Sequence, residues 1–198
     1  LSRKRKLYNS LGLIISTTYL LITLSFKGIA HYNIARALED NNIEYKDVNT
    51  RATYFNSILW SSQIELEDSY MFTYYSLFDN SPPSFTKEFP KNHDMLIPFI
   101  DNKKIQQLII LSNGHYIMTN ENNELIFWNL KLGQKGFDKN ASPYIWSYVI
   151  EKTDQGEMLF DETNEKMNAL KIQEVRSFRN NRKYSEEFNN FMERLKGI

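Results

Sequence analysis

The chain has no cysteine. Disulfide frameworks, cysteine nucleophiles and cysteine zinc sites are therefore excluded. It has no surplus of either charge. Its 24 basic side chains balance 24 acidic ones over 198 residues, so nothing in the overall charge argues for nucleic acid. Histidine is scarce: His31, His93 and His115 are all there is. None has a second histidine or a carboxylate at a recognised ligand spacing, whereas a zinc site needs three or four placed ligands. There is no G-x-S-x-G elbow, and no S-x-x-K set with its partner motifs. Gly133-Gln134-Lys135-Gly136 is too short for a phosphate loop and reads as a turn at a strand end. What the chain does have is apolar material. Hydrophobic residues make up 41% and aromatics 14%, enough for a real core and against global disorder. A start at Leu1 rather than Met reads as a piece of a longer or processed product.

Charge is unevenly placed. Arg3, Lys4, Arg5 and Lys6 stand together, and the next 20 residues, Leu7 to Phe26, carry no charge. At about 1.5 Å per residue a helix of that length spans roughly 30 Å, the thickness of a bilayer core. Six Ser or Thr residues dilute the run, but their hydroxyls can bond back to helix carbonyls. Lys27 closes it. Two other readings stand beside a membrane span: a buried helix and a signal sequence. The triplets Leu13-Ile14-Ile15 and Leu20-Leu21-Ile22 surround the helix rather than form one stripe, which counts against burial. The run is long for a signal h-region, and no convincing small-residue cleavage site follows. The positive-inside rule places Arg3 to Lys6 in the cytoplasm and residues 28–198 outside it. The expected organisation is a membrane helix over 1–27 and an extracytoplasmic domain over 28–198, with the lipid bilayer as partner.

Gly28 to Asn42 reads as a helical continuation, with Ala30, Ile34, Ala37 and Leu38 at helical spacing. The period then changes. Ile58, Trp60, Ile64 and Leu66 share one strand face, and Ser61, Gln63 and Glu65 the other. Tyr70 to Phe78 forms the next strand across the turn Glu67-Asp68-Ser69. Pro90 to Leu111 reads as mainly helical, broken at Asp101-Asn102. After Asn113-Gly114, a second hairpin joins His115–Thr119 to Glu124–Leu132, and Tyr144–Thr153 adds a fifth strand. Helices are expected over Thr163–Phe178 and Tyr184–Leu195, the second with a stripe of Tyr184, Phe188, Phe191 and Leu195. The predicted class is α+β: one antiparallel sheet of about five strands with helices packed on it, behind an N-terminal transmembrane helix.

Few residues invite a ligand. Glu65, Glu67 and Asp68 cluster at one hairpin, as a solvated turn or a cation site. Arg176, Arg179, Arg182 and Lys183 form a basic linker that could touch anionic groups. Trp60, Tyr70, Tyr74 and Tyr75 are the main candidates. They either line a groove for a lipid, glycan or peptide or form the core under the helices.

Five short segments carry a family resemblance: Asn56-Ser57-Ile58-Leu59-Trp60, Tyr74-Tyr75-Ser76-Leu77-Phe78-Asp79, Pro90-Lys91-Asn92, Leu111-Ser112-Asn113-Gly114-His115-Tyr116 and Asn129-Leu130-Lys131-Leu132-Gly133-Gln134. With the basic stretch and apolar helix before them, they make residues 1 to about 150 similar to the C-terminal part of the bacterial inner-membrane metal-dependent hydrolases, the YdjM-like or LexA-binding-type membrane proteins. The chain departs from that pattern at Asn129-Leu130-Lys131-Leu132, where such proteins tend to have an Asp-Leu-Arg-Phe-like run. The resemblance implies an upstream multi-span region of the same protein that holds the His and Asp motifs and a divalent metal. It carries no catalytic or metal residue onto this chain. The implied role is that of a non-catalytic, extracytoplasmic C-terminal domain at the bacterial inner membrane. The alternatives are a membrane-anchored binding module using the aromatic sheet face, and an independent enzyme built around His93 or His115.

Overall fold

A computed structural model describes residues 2–121, 124–133, 146–152, 170–176 and 184–197. Helix α1 (Ser2–Asp40) runs unbroken for 39 residues, about 58 Å at the helical rise. Its two parts behave differently. From Leu7 to Leu24 the large apolar side chains stand exposed on all sides. Ser16, Thr23 and Ser25 turn their hydroxyls back onto the carbonyls of Leu13, Leu20 and Leu21, each at 3.0 Å, which hides their polarity. Further on, Ala30, Ile34, Ala37 and Leu38 are buried, at the spacing of one helix face. The helix stops where Asn42 turns left-handed (φ 54°) and the Ile43 N–H closes onto the Leu38 carbonyl at 3.0 Å.

Among the described residues, eight strands follow in two sheets. The first sheet contains β1 (Asp47–Ala52), β2 (Leu59–Glu65), β3 (Ser69–Ser76) and β4 (Phe89–Pro90) in sequential antiparallel order. Pairing of Trp60 with Tyr75 and of Glu65 with Tyr70 fixes the β2–β3 register. Alternation gives this sheet two apolar faces. Trp60, Ile64, Leu66, Met71 and Tyr75 pack with Ala30, Ile34 and Leu38 of α1. Tyr70, Phe72 and Phe89 face the other way.

The second sheet holds β5 (Tyr116–Glu121), β6 (Glu124–Asn129), β7 (Trp146–Lys152) and β8 (Leu170–Arg176), again antiparallel in chain order. Ile117, Ile126, Trp128 and Val149 meet Tyr70 and Phe72 of the first sheet. Its opposite face, with Tyr116, Met118, Phe127, Tyr148 and Ile150, is covered by the 3-10 helix His93–Phe99 and by α2 (Lys103–Leu111). The layers are therefore α1, sheet, sheet and α2. Helix α3 (Tyr184–Leu195) docks at the end of β3, where Arg194 grips Asp79 with both guanidinium nitrogens at 2.6 Å and the Tyr74 carbonyl at 2.8 Å.

The α+β class, the long N-terminal helix and the antiparallel pairing stand as expected. Two expectations are corrected. The five strands of one sheet are eight strands in two. Asp47–Ala52 escaped notice because an edge strand with one paired side needs few apolar residues, and this one reads Asp-Val-Asn-Thr-Arg-Ala. The helix expected over Thr163–Phe178 is, over Leu170–Arg176, strand β8. Residues 163–169 and 177–178 lie outside the described residues. Lys171-Ile172-Gln173-Glu174-Val175 suits either period, and the open edge of β7 decides in favour of extension by offering seven register pairs.

Candidate functional site

Among the described residues, the four candidate side chains do not gather on one sheet face. Trp60 and Tyr75 lie on the α1 side, 5% and 8% exposed. Tyr70 lies on the opposite face, 1% exposed, against the second sheet. Tyr74 shares the Tyr70 face but sits near the far end of β3, half-buried beside the α3 contact. Its pKa is pushed up to about 12 by burial. The four residues thus fall on two faces and take part in packing. The flanking cations Lys4, Arg5, Lys6 and Lys27 are exposed along α1, and Arg3 belongs to the same helix. Among the described residues, α1 is the one helix long and apolar enough to cross a membrane, and only 6% of its apolar window is buried.

The polar chemistry converges elsewhere, at the junction of the two sheets. Glu65 ends β2, Tyr70 opens β3 opposite it, Lys91 follows β4, and His115 precedes β5. The Lys91 ammonium donates to Glu65 Oε1 at 2.8 Å and to the carbonyls of Leu66 and Glu67, both at 2.9 Å. It also lies 5.1 Å from the centre of the Tyr70 ring, in cation–π range. The backbone of Lys91 ties the sheets together: its N–H donates to Asp68 and its carbonyl accepts from Met118. Burial first, and then the facing Glu65 carboxylate, push the Tyr70 pKa up.

His115 completes the cluster. Its Nδ1 is 3.6 Å from Glu65 Oε2, too far for a hydrogen bond, and the buried atom has no hydrogen-bond partner among the described residues. Its ring meets Tyr70 edge-on at 6.3 Å. One Glu65 oxygen is thus held by Lys91 and the other faces an unsatisfied imidazole nitrogen. Glu67 and Asp68 of the acidic hairpin are exposed, as a solvated turn has them, and two of its three carboxylates meet lysines. Glu65 goes to Lys91, and Glu67 goes to Lys46 at 2.8 Å, a hydrogen bond that draws the Glu67 pKa down and the Lys46 pKa up.

The other histidines are accounted for. His93 stacks on Tyr116 at 4.0 Å and its Nε2 lies 2.8 Å from the Tyr116 carbonyl. His31 Nδ1 is 3.2 Å from Thr50 Oγ1. Among the described residues no three His, Asp or Glu side chains gather as a metal set. Residues 177–183 of the basic linker lie outside the described residues, and Arg176 closes β8. Sequence reasoning missed the Glu65–Lys91–His115–Tyr70 grouping because its members come from four segments. The only signal was that Lys91 and His115 both fall in segments that carry the family resemblance. Comparison with protein-family models, with curated proteins and with solved structures finds no match.

Proposed function

We propose that this chain is a membrane-anchored domain that folds outside the cytoplasm and lends structure, rather than reacting groups, to a larger membrane protein. The observation that carries this reading is the division of α1. One helix presents an apolar surface to its surroundings over Leu7–Leu24 and packs one face into the sheet from Ala30 onward. An exposed apolar cylinder of about 30 Å needs lipid around it. Burial of Trp60, Tyr70 and Tyr75 favours this scaffold role over an aromatic binding face. The resemblance to inner-membrane metal-dependent hydrolases supplies the larger context: the divalent metal belongs to the upstream transmembrane region, and this domain shapes access to it.

Two measurements test the reading. The chain is expected to sediment with bacterial membranes, resist alkaline carbonate and dissolve in detergent. A protease added to the periplasmic side should reach residues after Lys27. Recovery in the soluble fraction overturns the anchor. In the parent protein, deletion of 28–198 is expected to lower turnover and leave bound metal unchanged, and loss of metal overturns the scaffold role.

A further inference from the structure

We infer that the β1–β2 loop, led by Phe55, is a second membrane contact that seats in the lipid headgroup region beside the emerging α1. This rests on the reading of α1 as a membrane span. The geometry begins at the helix end. The chain reverses through residues 41–46, so β1 runs back along α1 toward the membrane. The His31–Thr50 contact at 3.2 Å sets the level of one against the other. Three extended residues beyond Thr50 climb roughly 10 Å, the rise of about six or seven helical residues. Thr53 therefore stands level with Leu24 and Ser25, close to where the uncharged run ends. Phe26 packs onto the same core cluster as β2 and β3, which agrees with that level.

The loop tip is built to project. Phe55 is fully exposed at 106%, and Tyr54 beside it is 63% exposed. Phe55 also adopts φ 61°, a left-handed conformation that disfavours a bulky side chain. The loop is rigidly tied all the same. The Asn56 side chain accepts from the N–H groups of Ile58 and Leu59 at 3.0 and 2.7 Å and donates to Thr53 Oγ1 at 2.7 Å. The Thr53 N–H donates to the Leu59 carbonyl at 2.9 Å. A large apolar ring is thus held in water, in a strained conformation, by its own supporting hydrogen bonds. Nothing among the described residues covers that ring, and an adjacent bilayer interface would.

The same end of the sheet carries more of this chemistry. Leu59 pairs with Ser76, and the Leu77 N–H donates to Ile58, so exposed Phe78 lies next to the loop. Lys27 on α1 and Lys196 after α3 are exposed at this end and suit phosphate headgroups. Aromatic rings beside lysines, level with the end of a span, are the composition of an interfacial belt.

The cysteine-free chain makes the test direct. An environment-sensitive fluorophore is attached to single cysteines in the full chain in phosphatidylcholine–phosphatidylglycerol vesicles, at Phe55→Cys, Phe78→Cys, Asp68→Cys or Ile14→Cys. Asp68 marks the opposite end of the first sheet and Ile14 the middle of the span. Nitroxide lipids probe shallow and deep positions, and iodide probes water. Labels at 55 and 78 are expected to shift to the blue, lose intensity to the shallow nitroxide and resist iodide. The label at 68 should lose intensity to iodide alone, and the label at 14 to the deep nitroxide. If the label at 14 behaves so while those at 55 and 78 match 68, the second contact is overturned and the span stands. If the label at 14 escapes both nitroxides, the span and this inference fall together. Labels at 55 and 78 shielded from iodide and from lipid alike overturn the inference in favour of a protein partner.

Discussion

Lys91 places each of its three ammonium protons on a separate oxygen, and two of those oxygens belong to the β2–β3 turn. Lys91→Met would keep most of the volume and leave Glu65 without its counter-charge. The pair is mostly but not wholly buried, so we expect a loss of about 2 kcal/mol, below the range for a fully buried pair broken on one side. Denaturant unfolding in detergent measures it. His115 offers the opposite case. Its buried Nδ1 is unsatisfied, so His115→Phe removes a desolvated nitrogen and retains a ring against Tyr70. Stability should stay within about 0.5 kcal/mol or rise.

Single elements show where packing rules and where it does not. Ile34→Ala removes buried volume between α1 and the first sheet and should cost about 2–5 kcal/mol of domain stability without altering membrane association. Leu13→Asp and Leu21→Asp together should reverse that pattern: weaker membrane retention and an unchanged unfolding transition, since both side chains are exposed. At α3 the tight spot is Gly197, which has φ 79° and whose added Cβ would lie 2.5 Å from the Phe78 carbonyl oxygen. Gly197→Ala is expected to cost about 1–3 kcal/mol and to loosen the last turn of α3. Faster amide exchange at Arg194 to Lys196 would report it.

Much of this was legible in the residues themselves. The continuous helix through Lys27, the β2–β3 and β5–β6 hairpins and the bounds of α3 all follow from period and turn chemistry. What escaped depends on partners distant in sequence. Strand β8 is extended because β7 has a free edge, and that fact is absent from Leu170–Arg176 alone. Tyr70 and Tyr75 look alike in sequence, yet an odd separation sends them to different layers. The Glu65–Lys91–His115 junction needs two sheets to meet before it exists.

At the scale of the whole molecule, tyrosines of both sheets, Tyr70 and Tyr74 on the first and Tyr116 on the second, bind their protons more tightly folded than unfolded. Burial raises Tyr70, Tyr74 and Tyr116 alike, Tyr70 with help from Glu65. An unfolded phenol ionises near about pH 10. The folded chain therefore holds its full stability below that pH and loses it as pH rises toward the folded-state values. Ultraviolet titration should show exposed tyrosines ionising first, with the buried ones appearing together with loss of the near-ultraviolet circular dichroism.

The unbroken α1 has one more consequence. Gly28 sits inside the helix without unwinding it, so no joint separates the exposed apolar part from the part under the sheet. A domain hung on a flexible tether samples many headings above its membrane. On the proposed anchoring the heading is inherited: any roll or tilt of the shaft must swing both sheets as a single lever, so whatever grips the exposed shaft also steers the sandwich.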